Sequence, residues 1–226
     1  MVSDVRNIDC MEFMRQFPDK FFDLAIVDPP YGINMDIGKI GGDKEAKCTE
    51  YTKKDWDKHS PDVSYFQELR RVSKNQIIFG ANHFISKIPI DSPCWIVWDK
   101  LNTGRFADCE LAWTSFNRSV KKFTFMWNGM LQGNMKDKET RIHPTQKPRA
   151  LYTWIFDNFS RGGQKILDTH LGSGSSRIAA YYAGLDFYGC ELDKEYFDKA
   201  NERFEKECHG VEVIGKTVIT QNSLFG

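Results

Sequence analysis

The sequence predicts one α/β domain built on a mostly parallel sheet, and three observations predict it. Short, unbroken apolar runs alternate with helical patterns along the chain. One strand runs straight into a glycine turn and a helix start, and the strand after it ends in an acid. At 226 residues the chain is long enough for one substantial core and small for two complete domains.

The strand candidates, in order, are residues 5–8, 24–27, 76–79, 95–98, 165–167 and 187–190. Continuous apolar runs suit strands covered on both faces, as in a parallel sheet flanked by helices. Helical patterns fall at 11–17, 64–72, 149–159, 175–183 and 194–207. In the last of these Tyr196, Phe197, Ala200 and Phe204 form one apolar stripe, and Asp193 stands where an N-cap belongs. Two segments break the alternation. Residues 34–61 are polar and charge-dense, which reads as a long mobile loop. Residues 117–142 are basic, with Phe123, Phe125 and Trp127 ahead of a stretch containing glycine and asparagine.

Composition removes several classes of function. No stretch approaches the roughly 20 apolar residues of a membrane span, and residues 1–6 lack a secretory pattern, so a cytoplasmic protein is expected. Cys10, Cys48, Cys94, Cys109, Cys190 and Cys208 are scattered without a Cys-x-x-Cys pair, and the histidines complete no zinc spacing, so no metal is expected. Lys and Arg number 31, as do Asp and Glu, yet charge is unevenly placed. Between positions 118 and 149 eight basic residues face two acids, a net of six positive charges. Such a run is usually a solvated face. With the neighbouring aromatics it makes Arg118, Lys121, Lys122, Lys136 and Arg141 the candidates for contact with a nucleic acid.

Chemistry concentrates in three places. The run Leu24-Ala25-Ile26-Val27 ends in Asp28-Pro29-Pro30-Tyr31-Gly32. Two prolines remove two backbone donors and stiffen the chain, which sets a carboxylate, a carbonyl acceptor and an aromatic face together at a strand's end. An amino group could give its two N–H bonds to Asp28 and the Pro29 carbonyl while Tyr31 stacks on the ring that bears it. A plain strand-ending turn uses the same residue types. Second, Lys165-Ile166-Leu167-Asp168 leads through Thr169-His170-Leu171 to Gly172-Ser173-Gly174-Ser175, a cradle for a cofactor at a helix N-terminus. Position 177 is arginine, so the third glycine of the dinucleotide fingerprint is missing, which disfavours a nucleotide-dependent oxidoreductase. Third, Glu191 follows the next strand about 20 residues beyond the glycine turn, the place of an acid that accepts both hydroxyls of a ribose.

Together these motifs resemble the amino-type DNA methyltransferases. The tetrapeptide precedes the glycine turn, an order like the circular permutation of that family's β group. Asn7-Ile8-Asp9-Cys10-Met11-Glu12 looks like the group's opening segment, and His143-Pro144-Thr145-Gln146-Lys147-Pro148 like the motif ahead of its cofactor strand. The likeness covers residues 5–32 and 143–207 closely and 94–116 more weakly.

The resemblance implies a Rossmann-like S-adenosylmethionine methyltransferase fold, with seven strands of which the last is antiparallel, and S-adenosylmethionine as methyl donor. It implies that Asp28, Pro29, Pro30 and Tyr31 form the pocket for a flipped-out base. Asp168, Gly172, Gly174 and Ser175 would hold the methionine end of the cofactor and Glu191 its ribose, with further contacts from Asp9, Thr145 and Lys147. Aspartate at the head of the tetrapeptide favours adenine N6, and serine is commoner in N4-cytosine members. The family usually has Asp-Pro-Phe where this chain has Asp168-Thr169-His170, which leaves the cofactor's aromatic floor open.

Members of the group often dimerise, and a homodimer is open to a chain of this size. Enzymes that methylate RNA or a protein glutamine amide share a related tetrapeptide but usually place the glycines first. A subunit that only binds DNA or cofactor would be expected to lose the tetrapeptide or the glycines, and both are kept. Finally, Gln221-Asn222-Ser223-Leu224-Phe225 resembles the peptide by which bacterial replication proteins dock on the sliding clamp, although a final strand or tail reads the same way.

Overall fold

The structure is a computed structural model that describes residues 1–33, 57–88, 90–102, 107–128, 131–214 and 217–220. Most of the loop expected at 34–61 and all of the 221–225 peptide therefore lie outside the described residues. The chain begins with β1 (Ser3–Arg6), α1 (Cys10–Met14) and β2 (Phe22–Val27), then resumes with α2 (Val63–Val72) and β3 (Ser73–Phe79). Next come β4 (Trp95–Asp99), β5 (Cys109–Thr114), β6 (Lys121–Thr124) and a short ribbon of β7 (Trp127–Asn128) and β8 (Leu131–Gln132). After α3 (Arg149–Phe159) follow β9 (Lys165–Asp168), α4 (Ser175–Tyr182), β10 (Asp186–Cys190) and α5 (Lys194–Phe204). A π turn (Glu205–His209) and a hairpin of β11 (Val211–Ile214) with β12 (Thr217–Thr220) close the described chain.

One sheet of eight strands organises the fold, in the order β1-β10-β9-β2-β3-β5-β4-β6. All run parallel except β5, which is antiparallel to both β3 and β4. The expected count of seven is thus corrected to eight, because Lys121–Thr124 pairs with β4 along the sheet edge. Its residues alternate, with Lys121 and Phe123 half-buried and Lys122 and Thr124 exposed. Part of the basic segment read as an irregular insertion is therefore strand. Among the described residues of this sheet the antiparallel strand, expected last, is fifth in the chain.

Apolar layers cover both faces. Leu24 and Ile26 of β2 join Ile77, Ile166, Leu151 and Ile155 on one side, while Ala25 and Val27 join Phe66, Leu69, Ile78 and Leu167 on the other. This double burial is why the central strands read as unbroken apolar runs. The helices after β2 and β9 pack on opposite faces: α2 supplies Phe66 and Leu69 to one layer, α4 supplies Ala179 and Ala180 to the other. The two neighbouring strands therefore send their chains apart at their carboxyl ends and leave a crevice at the switch point. Among the described residues no helix is long and apolar enough to cross a membrane.

Three aspartates begin the helices that flank this crevice. Asp9 accepts from the Met11 and Glu12 amides, Asp62 from Ser64 and Tyr65, and Asp193 from Glu195 and Tyr196. Asp193 is the cap expected from sequence.

Candidate active site

Asp28 leaves β2 on the crevice, and both of its carboxylate oxygens are hydrogen-bonded. The Tyr31 hydroxyl donates to Oδ1 at 2.7 Å and the Lys147 ammonium donates to Oδ2 at 2.5 Å. The same ammonium reaches the Tyr31 oxygen at 3.2 Å and pairs with Glu110 Oε2 at 3.3 Å. Glu110 in turn holds Lys100. Lys147, expected among the cofactor contacts, lines the adjoining cavity, and its side chain, only 4% exposed, is also the partner of the tetrapeptide's acid. Burial pushes the Asp28 carboxyl above its ordinary range, against the pull of Lys147. Burial acts the same way on Glu110, but there Lys147 and Lys100 outweigh it and hold that carboxyl below its ordinary range.

The tetrapeptide's backbone is pinned from the far end of the 34–61 segment. Buried Asp57 accepts from the amides of Tyr31 at 2.7 Å and Gly32 at 2.9 Å through one oxygen. The Tyr31 ring stacks on His83, with centroids 5.0 Å apart and planes at 17°. It lies against Gly80, the residue after β3, where φ is +65° and a Cβ would stand 2.1 Å from the ring. Only glycine admits the tyrosine there. Pro29 is buried in the turn, and Pro30 faces the crevice.

A cavity of about 800 Å³ runs from Asp28 and Pro30 to the glycine turn, within the usual size of a cofactor site. Asp9, Thr145, Lys147, Gly172, Ser175 and Glu191 line it, so six of the expected cofactor residues come together although they span most of the chain. Gly172 has φ +52°, and its amide donates to Glu191 Oε2 at 2.9 Å, while the Asp193 amide donates to Oε1 at 2.9 Å. Each Glu191 oxygen thus keeps acceptor capacity toward the cavity. Burial raises the Glu191 carboxyl above its ordinary range, against those amide bonds.

Two expected contacts sit behind the turn instead of on the cavity wall. Asp168 is 2% exposed, accepting from the Ser176 hydroxyl at 2.5 Å and the His170 amide at 3.0 Å. Burial raises its carboxyl to about 7. Gly174, at φ +74°, packs toward Ala200 of α5 and opens α4. Arg203, 6% exposed, braces the turn by donating to the Ser173 carbonyl at 3.2 Å and the Ser175 hydroxyl at 2.9 Å.

The aromatic missing from Asp168-Thr169-His170 has a replacement. His170 lines the cavity in edge contact with Tyr65, centroids 5.6 Å apart, and the Tyr65 hydroxyl bonds Thr169 at 2.7 Å. Burial lowers the imidazole to about 4, so it presents a neutral ring at neutral pH. Walls carrying Asp9, Glu191, Asp193 and a neutral imidazole, with Lys147 committed to Asp28, suit a cationic ligand rich in hydroxyl and ammonium donors. They do not suit a phosphate. The donor set fits S-adenosylmethionine.

Three of the five basic residues are engaged within the protein. Arg118 donates to the Asn158 carbonyl at 2.8 Å, Lys122 pairs with Asp99 at 2.8 Å, and the Arg141 guanidinium lies 4.5 Å from the Trp127 ring centre. Lys121 is half-buried on β6 and Lys136 is exposed. Asp57, Gly80, Glu110 and Lys100 escaped the sequence reading. Only Gly80, directly after an apolar run, carried a signal.

Comparison with known proteins returns the family that the motifs resemble. The N6/N4 family described as DNA methylase matches residues 95–202, from β4 into α5. Type II methyltransferase M2.DpnII of Streptococcus pneumoniae is 25% identical over 88% of this chain and 88% of its own. Type II methyltransferase M.HinfI of Haemophilus influenzae is 23% identical over 88% of this chain and 67% of its own. Among solved structures, the M1.HpyAVI–SAM complex has a TM-score of 0.56 at 23% identity, covering 90% of this chain and 100% of its own. The cytosine-N4-specific PvuII DNA methyltransferase has a TM-score of 0.61 at 10% identity, covering 100% of this chain and 91% of its own. At these identities the structural likeness concerns the fold.

Proposed function

We propose that this chain, a DNA methyltransferase of the N6/N4 group, transfers a methyl group from S-adenosylmethionine to the N6 amino group of an adenine flipped out of double-stranded DNA. The observation that carries the reading is one cavity lined by Asp28 and by both Gly172 and Glu191. Bound S-adenosylmethionine supplies a methyl group on a sulfonium, a good leaving group, so no metal or covalent nucleophile is required. Glu191 and Asp9 accept hydroxyl or ammonium hydrogens, and His170 offers a neutral aromatic face.

At the other end Asp28 and the Pro29 carbonyl accept the two hydrogens of the amino group. Those bonds draw electron density onto the nitrogen and aim its lone pair along the cavity, so catalysis comes from orientation and fixed acceptors. The surplus proton leaves the methylated nitrogen for water, and no dedicated general base is assigned. Adenine is chosen over cytosine because the tetrapeptide begins with aspartate.

Methylome sequencing of a methylation-free host that expresses the protein tests this directly, since it reports base, position and target sequence together. N6-methyladenine at one short site is expected, abolished by Asp28→Ala. N4-methylcytosine alone would reassign the base, and no methylation with correctly folded protein would refute the activity.

A further inference from the structure

The Tyr31 hydroxyl occupies two hydrogen-bonding positions at once. It donates to Asp28 Oδ1 at 2.7 Å and accepts from the Lys147 ammonium at 3.2 Å. Behind it the carboxylate and the ammonium hold each other, and Glu110 and Lys100 extend the pair into the sheet edge. A ligand that displaces this hydroxyl therefore meets one acceptor and one donor side by side. The complementary ligand edge carries an N–H donor next to a bare ring nitrogen.

We infer that Lys147 is a specificity-determining residue that donates to the ring nitrogen beside the target amino group while Asp28 accepts from the amino group itself; this rests on the base-methylation reading above. Adenine presents that edge as N6–H and N1, and cytosine as N4–H and N3. Guanine and thymine present the reverse, a carbonyl acceptor beside a ring N–H. Facing them, Asp28 would meet an acceptor and Lys147 a donor, leaving buried polar groups unpaired, the kind of mismatch that discriminates most strongly. The pair thus sorts amino bases from keto bases.

Lys147 suits this task better than a surface lysine would. Its side chain is 4% exposed, and its ammonium is positioned by two carboxylates, Asp28 and Glu110. It also lines the cavity that reaches the glycine turn, so the bond it makes lies next to the reacting nitrogen.

The test measures binding of full-length protein to duplexes carrying the mapped site, in the presence of S-adenosylhomocysteine. The target is adenine, 1-deazaadenine (a C–H in place of N1) or 7-deazaadenine. Wild type should bind the 1-deaza duplex about ten- to a hundredfold more weakly than adenine, the worth of a hydrogen bond to a charged donor. The 7-deaza duplex should bind as adenine does. Lys147→Met, confirmed as folded by circular dichroism, should bind adenine and 1-deazaadenine within about twofold of each other, since no donor remains to be lost. Equal wild-type affinity for all three duplexes overturns the inference, as does undiminished discrimination in the variant. If the variant does not fold, the wild-type comparison of 1-deaza with 7-deaza decides alone. Failure of the folded protein to methylate any adenine or cytosine duplex would sink the base-methylation reading itself, a separate and recognisable result.

Discussion

The Lys147 ammonium stands 2.5 Å from Asp28 Oδ2 across 119 residues of sequence, with 4% of the lysine side chain exposed. Asp28 pairs with Lys147 and Lys147 with Glu110, so the acid credited with the chemistry belongs to a buried charge network and is not a lone carboxylate. Burial disfavours its ionised form, so the ion is retained at some cost to stability. Asp28→Asn should accordingly separate function from folding. The amide keeps the shape and one carbonyl acceptor but loses the charge, and kcat should fall about 10²- to 10³-fold, as for loss of a preorganised polar group. Tm should stay within a few degrees of wild type. A collapse of Tm in parallel with kcat would assign Asp28 a structural role.

Tyr31 depends on Gly80. A Cβ at position 80 would stand 2.1 Å from the tyrosine ring, and φ there is +65°, so Gly80→Ala must push the ring away or strain the turn. Both oppose the hydroxyl's reach to Asp28. Loss of about 1–3 kcal/mol of stability is expected, by denaturant titration, with at least a tenfold fall in kcat/KM. Tyr31→Phe keeps the ring and removes only the hydroxyl that caps Asp28 and Lys147. Its affinity for the target duplex should be unchanged or tighter, and a large loss would mean that the hydroxyl itself contacts DNA.

Asp57 holds the backbone of the tetrapeptide, accepting from the Tyr31 and Gly32 amides. Asp57→Ala strands two donors, a cost of about 1–3 kcal/mol for each that stays buried. Activity should fall with stability, and Asp57→Asn, which keeps a carbonyl in the acceptor position, should restore most of both. Failure of asparagine to rescue would show that the carboxylate's charge matters beyond its hydrogen bonds.

Much of this architecture was legible because burial writes itself into the chain. The strands ending at Val27 and Asp168 are apolar on both faces, and Asp193 caps its helix as its position foretold. The helix at Arg149–Phe159 falls on the residues its pattern predicts, since its apolar stripe packs against the sheet. What escaped has a common cause. Glu110 puts a charge within β5, which broke the apolar pattern and hid that strand; its partners lie on β4's flank and near α3, contacts no local spacing encodes. Lys147 lines the cavity as its motif implies, but its ion pair with Asp28, 119 residues away, is a contact that no sequence spacing encodes. Asp168 and Gly174 were read as contacts, yet the fold uses them to build the turn that presents Gly172.

Asp168 also makes stability depend on pH in a defined direction. Its carboxyl titrates near 7 in the fold, raised by burial against the Ser176 and His170 hydrogen bonds, and near 3.8 when unfolded. Between those values the native state holds a proton that the unfolded chain has released. The stabilising contribution is therefore complete below the unfolded value and is lost as pH rises toward 7, by at most about 4 kcal/mol. Glu191 and Asp28 shift the same way, so wild-type stability alone cannot isolate the effect. The difference between wild type and Asp168→Asn can. Asparagine still accepts from the His170 amide and meets the Ser176 hydroxyl, but it does not titrate. Its Tm relative to wild type should therefore rise from pH 5 to about pH 7 and level off above that. A difference that stays constant over that range would mean that Asp168 titrates at its ordinary value and that the Ser176 and His170 hydrogen bonds offset its burial.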